Sequence, residues 1–129
     1  MFKRYSIVMV CNSQDNILMG RRKDSGLYTN PGGGLDKGEC PFHGAAREFL
    51  EETGLYLKSV KLLEVHLTPE KNLIYMFQGF LPEDSLTIDT TSDPDDEVNL
   101  WEYVDPNNII EELHVPIREN LIIKYWIDN

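Results

Sequence analysis

GGLDKGECPFHGAAREFLEETGL, at residues 33–55, is the stretch of this sequence that decides the fold. Its first part follows Pro31-Gly32 and is rich in glycine, which is typical of a loop whose backbone approaches another group closely. Pro41 suits the first turn of a helix and Gly54 suits a helix end, so residues 41–53 are predicted to form an α-helix. The stretch therefore predicts a glycine-rich loop that leads directly into a helix.

The predicted helix has an apolar face and an acidic face when its side chains are placed at about 100° per residue. The apolar face is expected to pack against a sheet and contains Phe42, Ala45, Ala46, Phe49, Leu50 and Thr53. The opposite face holds Arg47, Glu48, Glu51 and Glu52, so one arginine accompanies three carboxylates.

These three carboxylates are unfavourable as bare charges. Glu48 and Glu52 are four residues apart and repel by about 0.2–0.5 kcal/mol. Glu51 and Glu52 lie near the helix C-terminus, where the macrodipole disfavours negative charge by about 0.3–1 kcal/mol. A divalent cation would neutralise the face, and oxygen ligands favour Mg²⁺ or Mn²⁺ over zinc. A solvated charged face is the alternative, and the helix alone does not separate the two.

The spacing across the whole stretch resembles the Nudix box. That motif consists of Gly, five residues, Glu, seven residues, Arg-Glu, an apolar residue, any residue, Glu-Glu, any residue, Gly and an apolar residue. Its fixed positions are filled here by Gly33, Glu39, Arg47, Glu48, Phe49, Glu51, Glu52, Gly54 and Leu55. Gly32 also fits the residue that usually precedes the box. The resemblance covers 23 of the 129 residues at specific positions and implies a Nudix hydrolase.

The resemblance implies an enzyme that cleaves the diphosphate bond of a nucleoside-diphosphate derivative, with Mg²⁺ as cofactor and Mn²⁺ as an alternative. By position in the motif, the metal site would be formed by Gly32 (through its carbonyl), Glu39, Glu48, Glu51 and Glu52. Arg47 would orient the carboxylates through bidentate hydrogen bonds. The general base varies within the family, so Glu48, Glu51 and Glu97 all remain candidates.

A looser resemblance outside the box indicates Arg21, Arg22 and Tyr28 as substrate-binding residues. Gly33, at the start of the box, is a further candidate. The two arginines are expected to contact phosphate, because arginine forks match phosphate geometry. Tyr28 stands where many members have a tryptophan before the Pro-Gly-Gly turn, and it is a candidate for stacking on a nucleobase. A (deoxy)nucleoside triphosphate is the favoured substrate. ADP-ribose, a dinucleoside polyphosphate or a nucleotide sugar are alternatives, as is a Nudix-like module that binds a nucleotide without cleaving it.

The whole chain, residues 1–129, is predicted to form one α+β domain. Strands are predicted at residues 5–12, 17–22, 60–67, 73–81 and 100–104, and helices at residues 41–53, 106–113 and 116–127. The first two strands are expected to form a hairpin. The resemblance implies a Nudix fold, in which a mixed β-sheet is sandwiched between α-helices.

Composition limits the partners. The net charge of −10 argues against an extended nucleic-acid surface. It is compatible with a small nucleotide substrate, since a bound cation reverses the local potential. No apolar run reaches the length of a membrane helix. Cys11 and Cys40 are expected to be reduced thiols in a cytoplasmic protein, with one disulfide as the alternative. Family members are often dimers, so a homodimer stays open.

Overall fold

The computed structural model describes residues 3–83, 88, 98–113 and 121–128. These residues form the strands β1 (Arg4–Met9), β2 (Ile17–Arg22), β3 (Tyr28–Thr29), β4 (Gly32–Gly34), β5 (Ser59–Leu67), β6 (Leu73–Phe80) and β7 (Val98–Val104). The helices are α1 (Pro41–Thr53) and α2 (Leu121–Asp128). The candidate base Glu97 lies outside the described residues.

The strands form two sheets. The first has the order β4-β1-β6-β5 and is mixed, because β1 is parallel to β6 while β4 and β5 are antiparallel to their neighbours. The second has the order β3-β2-β7 and is antiparallel. The predicted hairpin of the first two strands forms only next to its turn, since β1 and β2 enter different sheets. Cys11 forms an isolated antiparallel bridge with Ile17, the Asn12 amide donates to the Asn16 carbonyl, and the Leu18 amide donates to the Val10 carbonyl.

The core lies on both faces of the sheets. Val8 and Val10 pack on the α1 side with Phe49, whereas Met9 packs on the other side with Ile123 of α2. All five side chains are buried. A central strand that buries alternate residues against opposite helices is the arrangement that the Nudix fold requires, and the α+β prediction is confirmed.

Helix α1 has the predicted bounds. Pro41 occupies its first turn, and Gly54 ends it with a left-handed φ of 73° while its amide donates to the Leu50 carbonyl. The buried stripe consists of Gly44, Ala45, Phe49 and Thr53. Ala46 was expected on the packed face but is exposed. Phe42 is 45% exposed, yet its ring packs edge-to-face on that of Phe77 in β6, with ring centroids 4.9 Å apart.

The C-terminal part differs more from expectation. The helix predicted at residues 106–113 is replaced by two short 3₁₀ turns, Pro106–Asn108 and Ile110–Glu112. They are separate because Ile109 between them has φ −124° and ψ 15°, which is not helical. The last helix was predicted at residues 116–127 and is observed as α2, with residues 116–120 outside the described ranges. In the part of the chain that the structure describes, no helix has the length and apolar character needed to cross a membrane.

Candidate functional site

The glycine turn of β4 lies directly against β1 and against α1. Gly32 pairs with Ile7 and Gly33 with Ser6. Gly32 has a φ of 145°, and a Cβ atom there would collide with the Ser6 carbonyl oxygen. A Cβ atom on Gly33 would lie 2.8 Å from the carboxylate carbon of Glu48. The two glycines therefore bring the turn's backbone into contact with the acidic face of α1.

Two side chains of β1 fix the position from which α1 starts. The Ser6 hydroxyl is buried and donates to the Pro41 carbonyl oxygen at 3.0 Å. The Arg4 guanidinium donates to the carbonyl oxygens of Asp36 and Glu39 at 3.2 and 3.0 Å. These bonds hold the loop between β4 and α1 against the sheet, so the helix runs past the glycine turn.

Glu52 connects the helix to the turn. Its Oε1 accepts a hydrogen bond from the Gly32 amide at 2.8 Å. Glu48, one helical turn earlier, packs against Gly33, and only 13% of its side chain is exposed. Both carboxylates thus face the same two peptide units of β4. The predicted metal ligands Gly32, Glu48 and Glu52 are brought together by this contact.

Arg47 holds the other carboxylates. Its Nε and Nη2 donate to the two oxygens of Glu39 at 2.8 and 2.9 Å, which is a bidentate pair. Its Nη1 donates to Glu48 and Glu51 at 3.3 Å. The hydrogen bond to Glu39 is the main cause of a raised pKa for Arg47. One guanidinium therefore orients three carboxylates, as the motif implies for this position.

Both carboxylate oxygens of Glu39 have polar partners within the protein. In addition to Arg47, its Oε1 accepts from the Asp36 amide at 3.0 Å and its Oε2 lies 2.9 Å from Nδ1 of His43. The hydrogen bonds from Arg47, followed by those from Asp36 and His43, outweigh the effect of burial and lower the pKa of Glu39 to about 2. Glu39 is therefore ionised and engaged, which suits support of the site better than direct metal ligation.

The donor chemistry fits a hard divalent cation. Glu48, Glu51 and Glu52 supply carboxylate oxygens, and Gly32 supplies a backbone carbonyl, on one continuous surface of turn and helix. Across residues 3–83, 88, 98–113 and 121–128, no three acidic, histidine or cysteine side chains are already arranged around a common point. Arg47 and the Gly32 amide engage these carboxylates, so protein donors hold them on this surface.

The predicted substrate-binding residues Arg21, Arg22 and Tyr28 lie on β2 and β3. Tyr28 is 3% exposed; its hydroxyl donates to Glu102 at 2.6 Å and accepts from Arg21 at 2.8 Å. The Arg21 guanidinium lies 4.3 Å from the Tyr28 ring centroid and covers one face of the ring. Burial and the bond to Glu102 raise the pKa of Tyr28. Arg22 forms an ion pair with Asp24 at 2.9 Å. The substrate roles of these residues stay predictions, and for Tyr28 the geometry favours a structural role.

Sequence reasoning missed three contributors to this region. Glu102 was assigned only to a late strand, and the alternation Trp101-Glu102-Tyr103 does not indicate a polar partner for Tyr28. Arg4 and His43 were not among the candidate site residues. Their contacts depend on the β1–β4 pairing and on the loop before α1, which local patterns do not predict.

Comparison with known proteins agrees with this geometry. The family model of the NUDIX domain matches residues 1–125. The chain therefore belongs to the Nudix hydrolase family. Members of this family generally use divalent metal ions.

Two sequence relatives match part of the chain. A Bacillus subtilis (strain 168) protein, provisionally named an 8-oxo-dGTP diphosphatase, is 44% identical over 54 residues, which are 42% of this chain and 36% of that protein. An RNA pyrophosphohydrolase of Proteus mirabilis (strain HI4320) is 39% identical over 56 residues, 43% of this chain and 32% of that protein. The matched segment thus spans about a third of the length of these relatives.

A solved structure shares the whole fold. The NUDIX hydrolase from Nitrosomonas europaea superposes with a TM-score of 0.75 over 99% of this chain and 87% of that chain, at 18% identity. At this identity the likeness shows the fold alone.

Proposed function

We propose that this chain is a pyrophosphohydrolase that cleaves the diphosphate bond of a small nucleoside-diphosphate derivative, with Mg²⁺ as its ion and Mn²⁺ as an alternative. The observation that carries the proposal is the contact between the acidic helix face and the glycine turn. Glu52 bonds to the Gly32 amide at 2.8 Å, and Glu48 rests on Gly33. A helix face that is only solvated does not require contact between its carboxylates and the glycine turn.

The position of each site residue in the motif and its contacts together support a role for it. Gly32, Glu48, Glu51 and Glu52 would hold the ion, which supplies Lewis-acid stabilisation of the charge on phosphate and leaving oxygens. Arg47 keeps the carboxylates in position, and Glu39 holds Arg47. Water forms a new bond to one phosphorus, the anhydride P–O bond breaks, and the leaving phosphate takes that electron pair. A carboxylate accepts the proton of the water.

The base stays among Glu48, Glu51 and Glu97. Of the two that the structure describes, Glu51 is the more accessible, with 33% of its side chain exposed against 13% for Glu48. Glu51 is therefore the better placed to reach a water molecule. The names of the two relatives, a diphosphatase and a pyrophosphohydrolase, support the same bond type for this chain.

The test is the variant Glu52→Gln assayed against a nucleotide panel with Mg²⁺ or Mn²⁺. Glutamine can still accept the Gly32 hydrogen bond but lacks the charge, so we expect kcat to fall on the order of 100-fold or more while the fold persists. Glu64→Gln, an exposed residue of β5, is the matched control and should leave kcat unchanged. Products are identified by mass spectrometry in ¹⁸O water, which locates the attacked phosphorus.

Absence of turnover of the whole panel by the wild-type chain would contradict the proposal. Calorimetric binding of a nucleotide without cleavage would instead identify a binding module. All the glutamates of the box are retained, which argues against that second class.

A further inference from the structure

A recess lies on the face of the first sheet opposite α1. It has a volume of about 480 Å³, within the range of small-ligand pockets. Its lining includes Met9 of β1, which packs in one cluster with Ile123 of α2. The preceding residue, Val8, packs on the other side of the sheet with Phe49 of α1. The sheet therefore separates the recess from the acidic face of α1, and the proposed reaction does not use it.

Four segments of the chain meet at the recess. Trp126 and Ile127 come from the last turn of α2, and Gln78 comes from β6. Asn107 comes from the first 3₁₀ turn, and Asp15 comes from the tight turn between β1 and β2. Side chains that are distant in sequence thus converge on one concavity, with apolar and polar groups side by side.

The polar side chains of the recess offer mainly hydrogen-bond acceptors. Among the residues that the structure describes, the Asp15 carboxylate and the Gln78 carboxamide have no hydrogen-bond or ion-pair partner. The Nδ2 group of Asn107 donates to the Asp105 carboxylate at 3.1 Å, so its Oδ1 is the atom that remains for a ligand. A carboxylate and two carboxamide oxygens suit a ligand that carries several N–H donors.

The electrostatic character of the recess favours a cation. No lysine, arginine or histidine of the described part of the chain lines it, whereas Asp15 contributes a carboxylate. Tyr125, Trp126 and Ile127 belong to the last turn of α2, which contains no basic residue. The negative end of the helix macrodipole therefore lies beside the recess without a compensating charge.

The lining suits an organic cation better than a metal ion. Mg²⁺ and Ca²⁺ take about six or more oxygen ligands, whereas this lining provides one carboxylate and two carboxamides. Burial, followed by the charge of Asp15, raises the pKa of the Cys11 thiol, so this lining residue is neutral at pH 7 and is a poor zinc ligand. Tyr125 and Trp126 instead supply aromatic surface, which attracts planar organic cations.

We propose that the recess is a second ligand site, which binds a small organic cation through a planar guanidinium or amidinium group. Asp15 pairs with the charge, and the oxygens of Gln78 and Asn107 accept hydrogen bonds from the remaining N–H groups. The aromatic side chain of Trp126 contacts the apolar part of the ligand. This site is additional to the proposed hydrolase activity and does not depend on it.

A titration with benzamidine tests the charge of the site. The full chain is titrated calorimetrically in saturating Mg²⁺, and neutral benzamide, which has nearly the same shape, is the comparison ligand. We expect benzamide and the variant Asp15→Asn each to weaken binding by about 5-fold or more. Asparagine is chosen because it tolerates the φ of 61° at this position. The control Glu70→Gln removes an exposed carboxylate from the turn between β5 and β6 and should bind as the wild type does.

A second variant and a resonance locate the ligand. Asn107→Lys, at an exposed position, places a positive charge on the recess and should abolish benzamidine binding. In a ¹H–¹⁵N spectrum the indole N–H signal of Trp126, assigned with Trp126→Phe, should shift on titration. The signal of Trp101, which is buried on the α1 side, should not. A Trp126 signal that stays in place while benzamidine binds would show that the ligand lies elsewhere and would overturn the proposal.

The acidic face of α1 is the competing place for a cation. The benzamidine titration is therefore repeated in chelator and with Glu52→Gln. We expect the same Kd in Mg²⁺ and in chelator, and no effect of Glu52→Gln, because the recess lies across the sheet from α1. Binding that Mg²⁺ displaces, or that Glu52→Gln weakens while Asp15→Asn does not, contradicts the second site. Each of these outcomes leaves the proposed hydrolase activity untouched.

Discussion

At the scale of single residues, the pair of Arg47 and Glu39 organises the acidic site. Arg47 bonds to both oxygens of Glu39 and still reaches Glu48 and Glu51. Only 7% of the Glu39 side chain is exposed, so an unpaired carboxylate at this position would be costly. Glu39 thus fixes the position of Arg47, and Arg47 in turn orients Glu48 and Glu51.

This pair predicts a pH dependence of stability. The pKa of Glu39 is lowered from an ordinary value near 4.5 to about 2, chiefly by Arg47. A lowered pKa contributes stability that is present above about pH 4.5 and is lost as the pH falls towards 2. We expect a contribution of about 1 kcal/mol, discounted because 23% of the Arg47 side chain is exposed to solvent.

Urea unfolding in chelator at pH 7, 5 and 3 measures this contribution. Glu39→Gln should be less stable than the wild type at pH 7, and the difference should shrink towards pH 3. Glu64→Gln on the exposed side of β5 provides the comparison for an unpaired surface carboxylate. A Glu39→Gln difference that is independent of pH would show that the hydrogen-bonded charge is not the cause.

At the scale of elements, the end of α1 sets the position of two metal-ligand candidates. Gly54 has a φ of 73°, and its amide closes the last turn on Leu50. The Thr53 hydroxyl donates to the Phe49 carbonyl at 2.7 Å and accepts from the Leu55 amide at 3.2 Å. Glu51 and Glu52 belong to this capped turn, so its order determines where their carboxylates lie.

Gly54→Ala should therefore lower both stability and activity. An alanine in the left-handed region costs about 1 kcal/mol, and fraying of the last turn displaces Glu52 from Gly32. Gly26→Ala is a matched control, because Gly26 also has a φ of 73°, with open space around its Cβ position. The control should lose similar stability in thermal unfolding and keep its kcat. Equal loss of kcat in both variants would contradict a local effect of the cap.

The elements also show how far sequence reasoning extends. Helix α1 was predicted at its observed bounds because Pro41 and Gly54 mark the helix ends through the local sequence alone. The strands β3 and β4 were missed because they are very short: β3 has two residues, and β4 consists of three glycines. Neither shows an alternation of apolar and polar side chains. The hairpin prediction held only next to the turn, because the pairing of the two strands is decided by distant partners: β1 pairs with β6, and β2 with β7.

The site, like the fold, was predicted where it depends on local sequence and not where it depends on long-range packing. The box positions predicted the cluster of Gly32, Gly33, Glu48 and Glu52, since the turn and helix are contiguous in sequence. The environment of Tyr28 was not predictable, because its partner Glu102 is 74 residues away and approaches through the β2–β7 pairing. Substrate contacts outside the box thus depend on long-range packing, and their assignments remain predictions.

At the scale of the whole molecule, the excess of acidic residues predicts stabilisation by divalent ions. The net charge is −10, and the site adds several carboxylates on one helix face. A ligand that binds only the folded state stabilises it by about 2.7 kcal/mol at 100 times its Kd. We expect Mg²⁺ to raise Tm by several degrees beyond the effect of NaCl at equal ionic strength. Glu52→Gln should remove most of that excess; an unchanged shift would place the ion elsewhere.

The other whole-molecule feature is the outer edge of the first sheet. Strand β5 is nine residues long and forms the end of the order β4-β1-β6-β5. Three large apolar side chains on it are exposed, namely Leu62 at 38%, Val65 at 45% and Leu67 at 56%. A long apolar edge strand is a template for pairing with another chain. We therefore expect self-association of the protein to depend on β5.

The variant Leu67→Lys tests this expectation. A lysine on an edge strand opposes pairing with another chain. Because Leu67 is more than half exposed, the substitution should change the free energy of unfolding by no more than about 0.5 kcal/mol. Light scattering across a concentration series should show less association than in the wild type. Ser59→Lys adds the same charge to β5 but removes no apolar side chain, so it separates the loss of apolar surface from the gain of charge. If both variants reduce association equally, net charge and not the apolar edge controls it. If neither does, the expectation that self-association depends on β5 is wrong.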